Sequence, residues 1–139
     1  MTDAPTDLTL LEDLVVRAGQ AFRGVQDRVF AGDPGINPRL RVEAVEPAWV
    51  DGVPTLVLIT PWTLNGLMFP LGTGPEELVV ADTCRRAYRG DVAPLGVYWS
   101  VNLVSDVSGL TGPPQARRLA TSFADPFRDA VRGWLTATS

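Results

Sequence analysis

The most constraining feature of this 139-residue chain is a hairpin signal whose second arm is apolar on both faces. Leu40, Val42 and Ala44 alternate with Arg41 and Glu43, the pattern of a strand with one wet face. Asp51-Gly52 lies between that stretch and Thr55-Leu56-Val57-Leu58-Ile59. Asp-Gly favours a two-residue hairpin turn because both of its positions accept positive φ. A strand greasy on both sides belongs in the middle of a sheet. Asn65 to Phe69 reads as a third strand stopped by Pro70, with Leu71 to Pro75 as a loop. Val97 to Val104 is rich in β-branched and aromatic residues and reads as a further strand. Between them, Glu76 to Gly90 allows two readings: a strand at Leu78-Val79-Val80, with Thr83 to Arg89 as one helical turn or a loop.

Helical periodicity frames these strands. Leu11, Leu14, Val15, Ala18, Phe22, Val25, Val29 and Phe30 fall at spacings of three and four, the mark of one buried helical face from Thr9 to Phe30. Thr9 and Glu12 fit a capping box, and Gly32 fits a C-terminal stop. Gly19 and Gly24 inside this helix suggest the close approach of a sheet or another helix. Pro113-Pro114 suits the opening of a second helix, with Ala116, Leu119, Ala120 and Phe123 on its apolar face. Asp125-Pro126 reads as a kink or restart, followed by Phe127, Ala130, Val131, Trp134 and Leu135. The expectation is an α+β fold, a two-layer sandwich of a mainly antiparallel sheet with N- and C-terminal helices packed on one face. No repeat or linker interrupts the chain, so residues 1–139 read as one domain with a short flexible N-terminus of about seven residues.

What the chain lacks narrows the chemistry. It has no His, and all 12 basic residues are Arg. The usual general base, the imidazole metal ligand, the Schiff-base amine and the phosphate-loop Lys are therefore missing. The single Cys, Cys84, cannot form an internal disulfide or a thiolate zinc site. These absences argue for no catalytic residues, no cofactor and no metal. A net charge of -4 disfavours nucleic acid, which rewards basic patches. Asp3 sits where a secretory signal would carry positive charge, and no run approaches the roughly 20 apolar residues of a membrane span. The expectation is a cytoplasmic protein without stable membrane insertion.

One segment stands apart: Ile59-Thr60-Pro61-Trp62-Thr63-Leu64-Asn65-Gly66-Leu67-Met68-Phe69-Pro70. Thr60 can cap the end of a strand while Pro61 fixes φ, which places Trp62 at a turn. Trp and Met are favoured where protein surfaces meet. Two readings compete: Trp62, Met68 and Phe69 fill the core, or they form a partly exposed anchor for a polypeptide. Burying all three would remove about 400–500 Å² from water, on the order of 10–12 kcal/mol. Association costs roughly 4–15 kcal/mol, so the net would be a releasable grip. The other candidates are weaker. Glu76-Glu77 suits a solvated loop, and Cys84 beside Arg85 and Arg86 could have a lowered pKa but lacks a second Cys or a His. Ser105, Ser108 and Ser122 have no base to activate them.

From Asn37-Pro38-Arg39-Leu40-Arg41-Val42-Glu43-Ala44-Val45, through the hairpin to Ile59-Thr60-Pro61-Trp62, Asn65 and Phe69-Pro70, the chain resembles the HybE/HupJ family of NiFe-hydrogenase assembly chaperones. The resemblance is clearest from about Asn37 to Pro70 and continues more weakly to the C-terminal helix. Val101 to Ser108 departs from the Cys-Ser-Leu and Ser-Pro-Met stretch associated with the family. The resemblance implies a non-enzymatic accessory protein that binds a hydrogenase subunit precursor before assembly or twin-arginine export. Homodimer formation is compatible with it. The resemblance carries over Thr60, Pro61, Trp62 and Asn65 as the motif, with Phe69 and Pro70 as its end. With Leu64 and Met68 from the apolar-anchor reading, the expected partner contacts are Thr60, Pro61, Trp62, Leu64, Asn65, Met68 and Phe69. Two other classes compete: a small ligand-binding or enzymatic α+β domain using Asp/Glu and Arg, and a plain homo-oligomeric scaffold.

Overall fold

A computed structural model of the protein describes residues 7–30 and 32–138. Helix α1 (Leu8–Val29) leads into strands β1 (Glu43–Val50), β2 (Val53–Ile59), β3 (Leu64–Met68), β4 (Glu77–Val80), β5 (Thr83–Val92) and β6 (Gly96–Val104), and helix α2 (Pro113–Thr138) closes the chain. The strands form a six-stranded sheet in the order β1-β2-β3-β6-β5-β4, with every pairing antiparallel. Two meanders, β1–β2–β3 and β4–β5–β6, therefore meet where β3 pairs with β6.

The Asp-Gly turn forms as expected, with φ of 45° at Asp51 and 88° at Gly52. The stretch from Glu76 to Gly90 is also a hairpin, β4 and β5 joined at Ala81-Asp82. Both turn residues adopt positive φ, 51° and 63°, although neither is glycine. Neither a helical turn nor a loop occurs there, because every residue from Thr83 to Val92 is drawn into the sheet.

The α+β class, the antiparallel sheet and the terminal helices match expectation; the layering does not. The two helices cover opposite faces of the sheet instead of sharing one. Val57 and Ile59 of β2 pack with Phe127 and Val131 of α2, whereas Leu56 and Leu58 pack with Leu14 and Ala18 of α1. Strand side chains alternate between faces, so all seven residues of β2 are buried, one set under each helix. The two-sided apolar run marks a strand covered twice.

Helix α1 is capped by Asp7, whose carboxylate accepts from the Thr9 N–H at 2.9 Å; Thr9 itself is helical and does not serve as the cap. Gly32 turns the chain past the end of α1 with φ of 74°. The atoms nearest to a methyl group added at Gly19 or Gly24 belong to the side chains of Arg23 and Arg28 of the same helix rather than to the sheet or α2. Helix α2 runs from Pro113 through Pro126 to Thr138 without restarting. Its Ala116, Ala120 and Ala124 are buried at four-residue spacing, followed by Phe127 and Val131. This packing offsets the hydrogen bond that Pro126 cannot make.

At one edge, β1 carries a bulge between Val45 and Ala48, with Glu46 at φ of 55°. Arg128 of α2 holds it by donating to the Glu46 carbonyl at 3.1 Å.

Candidate functional site

Where β2 ends, Thr60 builds a turn from its own hydroxyl. Its Oγ1 accepts from the Trp62 N–H at 3.2 Å and the Thr63 N–H at 2.9 Å, and donates to the Thr63 carbonyl at 3.0 Å. A hydroxyl has one donor and two acceptor positions, so all are used. The Thr60 N–H also donates to the Thr63 carbonyl at 2.9 Å. Pro61, buried between them, restricts φ. The Pro61 carbonyl accepts from the Asn37 N–H at 2.7 Å.

Asn37 ties this turn to the loop that follows β6 at the same end of the sheet. It is buried, and its Nδ2 donates to the carbonyls of Val107 and Leu110, both at 2.9 Å. Its Oδ1 accepts from the Arg39 N–H at 3.0 Å. Every polar group of the side chain is thus satisfied, as a buried amide requires.

The rigid turn presents Trp62 to the end of α1. The indole stacks on Phe30 with ring centroids 4.2 Å apart and planes 16° from parallel. Both rings are half-buried, and Val29 next to Phe30 is 65% exposed. Trp62 therefore lies between the two readings of the sequence: one side rests on the α1-side core, the other borders solvent.

The other candidates separate. Leu64 and Met68 point toward α2 and are essentially inaccessible, so the expectation that they touch a partner is corrected: both are core residues. Thr60 is likewise buried and shapes the turn from within. Asn65 lies on the opposite, α1-side face, where its Oδ1 accepts from Asn102 Nδ2 at 3.0 Å. Phe69 is half-buried at the far end of β3, its N–H donating to the Pro54 carbonyl at 3.0 Å. The five residues of β3, at about 3.3 Å each, hold Trp62 and Phe69 apart. The accessible apolar surface at the turn is the stacked pair Phe30 and Trp62, and exposed Val29 adjoins Phe30 in the chain.

Sequence reasoning missed Phe30 as a site residue because it falls in step with the helical face. Asn37 was visible only as the first residue of the resemblance. Cys84 is exposed, and its thiol is pushed up from its ordinary value, not down, first by donating a hydrogen bond to the Glu77 carboxylate and then by slight burial and the Glu77 charge. Arg85 turns to the other face, where it donates to the carbonyls of Asn102 and Leu103 and lies over the Phe123 ring. Among the described residues no cluster of His, Cys, Asp and Glu could hold a metal ion, and no helix is long and apolar enough to cross a membrane.

A family model described as NiFe-hydrogenase assembly, chaperone, HybE matches residues 13–132, which takes in Phe30, Asn37, the Thr60–Trp62 turn and most of α2. No curated protein and no solved structure matches.

Proposed function

The chain belongs to the HybE family of NiFe-hydrogenase assembly chaperones, and from that premise we propose that it acts without catalysis, binding the precursor of a hydrogenase subunit in the cytoplasm. The observation that carries this reading is the apolar patch of stacked Phe30 and Trp62, with exposed Val29 adjoining Phe30 in the chain, at a turn locked by Thr60 and Pro61 inside the matched segment. A rigid anchor loses little side-chain freedom on binding, and its modest apolar area limits the grip. Such a surface holds an unfinished protein and lets it go. Phe69 and Asn65 lie outside this patch and contribute through the fold of β3.

The test is capture. The tagged chain, expressed in cells producing a NiFe-hydrogenase, should retain a subunit precursor and not the mature subunit. Trp62→Ala should lose the precursor while unfolding as cooperatively as the parent. Wild-type levels of capture by Trp62→Ala would reject the patch, and failure of the parent chain to retain either subunit would reject the reading.

A further inference from the structure

The two edges of the sheet end differently. At β1 the bulge at Glu46 and the missing N–H of Pro47 spoil the outer row of backbone groups. Strand β4 has neither a bulge nor a proline. The two-residue turn at Ala81-Asp82 makes Val80 and Thr83 a hydrogen-bonded pair, and alternation extends this to Leu78 with Arg85. The Ala87 N–H reaching the Glu76 carbonyl at 2.8 Å continues the series. Glu77 and Val79 therefore aim their N–H and C=O groups away from the sheet, and both residues are exposed.

Along this edge runs a groove of about 690 Å³, between β4 and the C-terminal half of α2. Leu78 faces Ala130, Gly133 and Trp134 across it, while the side chains of Glu77 and Val79 alternate to the other face of the sheet, where Glu77 meets Cys84. A methyl group on Gly133 would meet nothing within 4 Å. Glycine is unfavourable within a helix and the fold does not require it here; its effect is to leave the groove open. The rim is acidic, with Glu77, Asp82 and Asp129, and no arginine lines it. Of these, only Asp129 has an ion-pair partner among the described residues, Arg132 at 3.0 Å. Arg86, opposite Glu77 in the ladder, lies instead over the Tyr88 ring.

We infer that this edge binds an extended peptide segment by strand addition to β4, one whose side chains alternate between apolar and cationic. The outward N–H and C=O groups of Glu77 and Val79 supply the ladder, and the space over Gly133 beside Trp134 takes apolar side chains. The carboxylate of Glu77, on the face of β4 away from α2, takes the cationic ones with Asp82 at the turn beside it. A second copy of the chain fits worse, because edge-to-edge pairing would bring two acidic rims together. The inference rests on the chaperone reading only for the source of the segment, an unfolded stretch of the client.

The test uses the full chain and a fluorescein-labelled octapeptide of alternating Arg and Val. Fluorescence anisotropy should show saturable binding that weakens at least tenfold between 50 and 500 mM salt and at least tenfold in Glu77→Gln/Asp82→Asn. Gly133→Leu should abolish it without lowering the unfolding midpoint, and the Glu77 and Val79 amides should gain protection from exchange. An analogue N-methylated on alternate residues keeps the charge but cannot form the ladder, and it should not bind. Equal binding of that analogue, or of a Glu-Val peptide, would overturn the inference, as would protection at β1 or a concentration-dependent dimer blocked by Gly133→Leu. Peptide binding is read on the purified chain and precursor capture in cells, so either reading can fail while the other stands.

Discussion

A methyl group on Gly66, in the middle of β3, would lie 2.6 Å from the ring of Phe127, the largest of the fully buried side chains. No real methyl group sits so close, and the ring belongs to the same buried cluster as Met68, Leu78 and Val101. Gly66→Ala should therefore destabilise the protein by about 1–3 kcal/mol through overpacking. Adding Phe127→Leu should recover part of the loss, read as the midpoint of urea unfolding. An unchanged midpoint for Gly66→Ala would mean that α2 can lift from the sheet at no cost.

Phe30 and Trp62 should be energetically coupled. Stacked pairs of this kind contribute about 0.5–1.5 kcal/mol beyond the area they bury. A double-mutant cycle of Phe30→Ala and Trp62→Ala should return a coupling in that range, with all three variants folded. Additive effects would show that the two rings merely lie near each other.

Thr60→Val keeps the shape of the side chain but strands the N–H groups of Trp62 and Thr63, which its hydroxyl satisfies. The expected loss is about 1–3 kcal/mol, together with weaker precursor capture as the indole loses its fixed position. Thr60→Ser should restore most of both, measured by thermal unfolding and by capture side by side.

Burial, and then the charge of Asp91, pushes the Tyr98 phenol above its ordinary value. The folded state thus favours the protonated ring. This contribution is complete below the ordinary value near 10 and is lost as pH rises through the raised one. Tyr98→Phe, which keeps the edge-on contact with Phe22, should lose less stability than the parent between about pH 9 and 11. Parallel curves for the two proteins would contradict this.

Cys84 should alkylate slowly for an exposed thiol, because Glu77 disfavours its thiolate. Glu77→Gln should raise the rate with iodoacetamide at pH 8 several-fold. A slower reaction in that variant would place the neighbouring arginines in control.

Much of the fold was legible because local rules and tertiary packing agree. Asp51-Gly52 demanded its hairpin, and the run Thr55–Ile59 was greasy on both sides because a helix lies over each. That run already contained the opposite placement of the helices, since one covering layer could not bury both Leu58 and Ile59. The hairpin at Ala81-Asp82 was hidden because two residues without glycine's freedom take positive φ there. In the site, Trp62 stood out by its residue type, but Phe30 did not, because its partner is 32 positions away and no periodicity links a helix end to a strand-end turn. Leu64 and Met68 share Trp62's segment, yet strand alternation turns them inward.

The pairing of β3 with β6 is the one stitch line between two otherwise self-contained ribbons. Phe127 is pressed over it from α2, with Met68 on one side and Val101 on the other. Damage along this stitching is felt by both halves of the cloth at once, whereas changes along either hem stay local, so the hems are where new grips can be added cheaply.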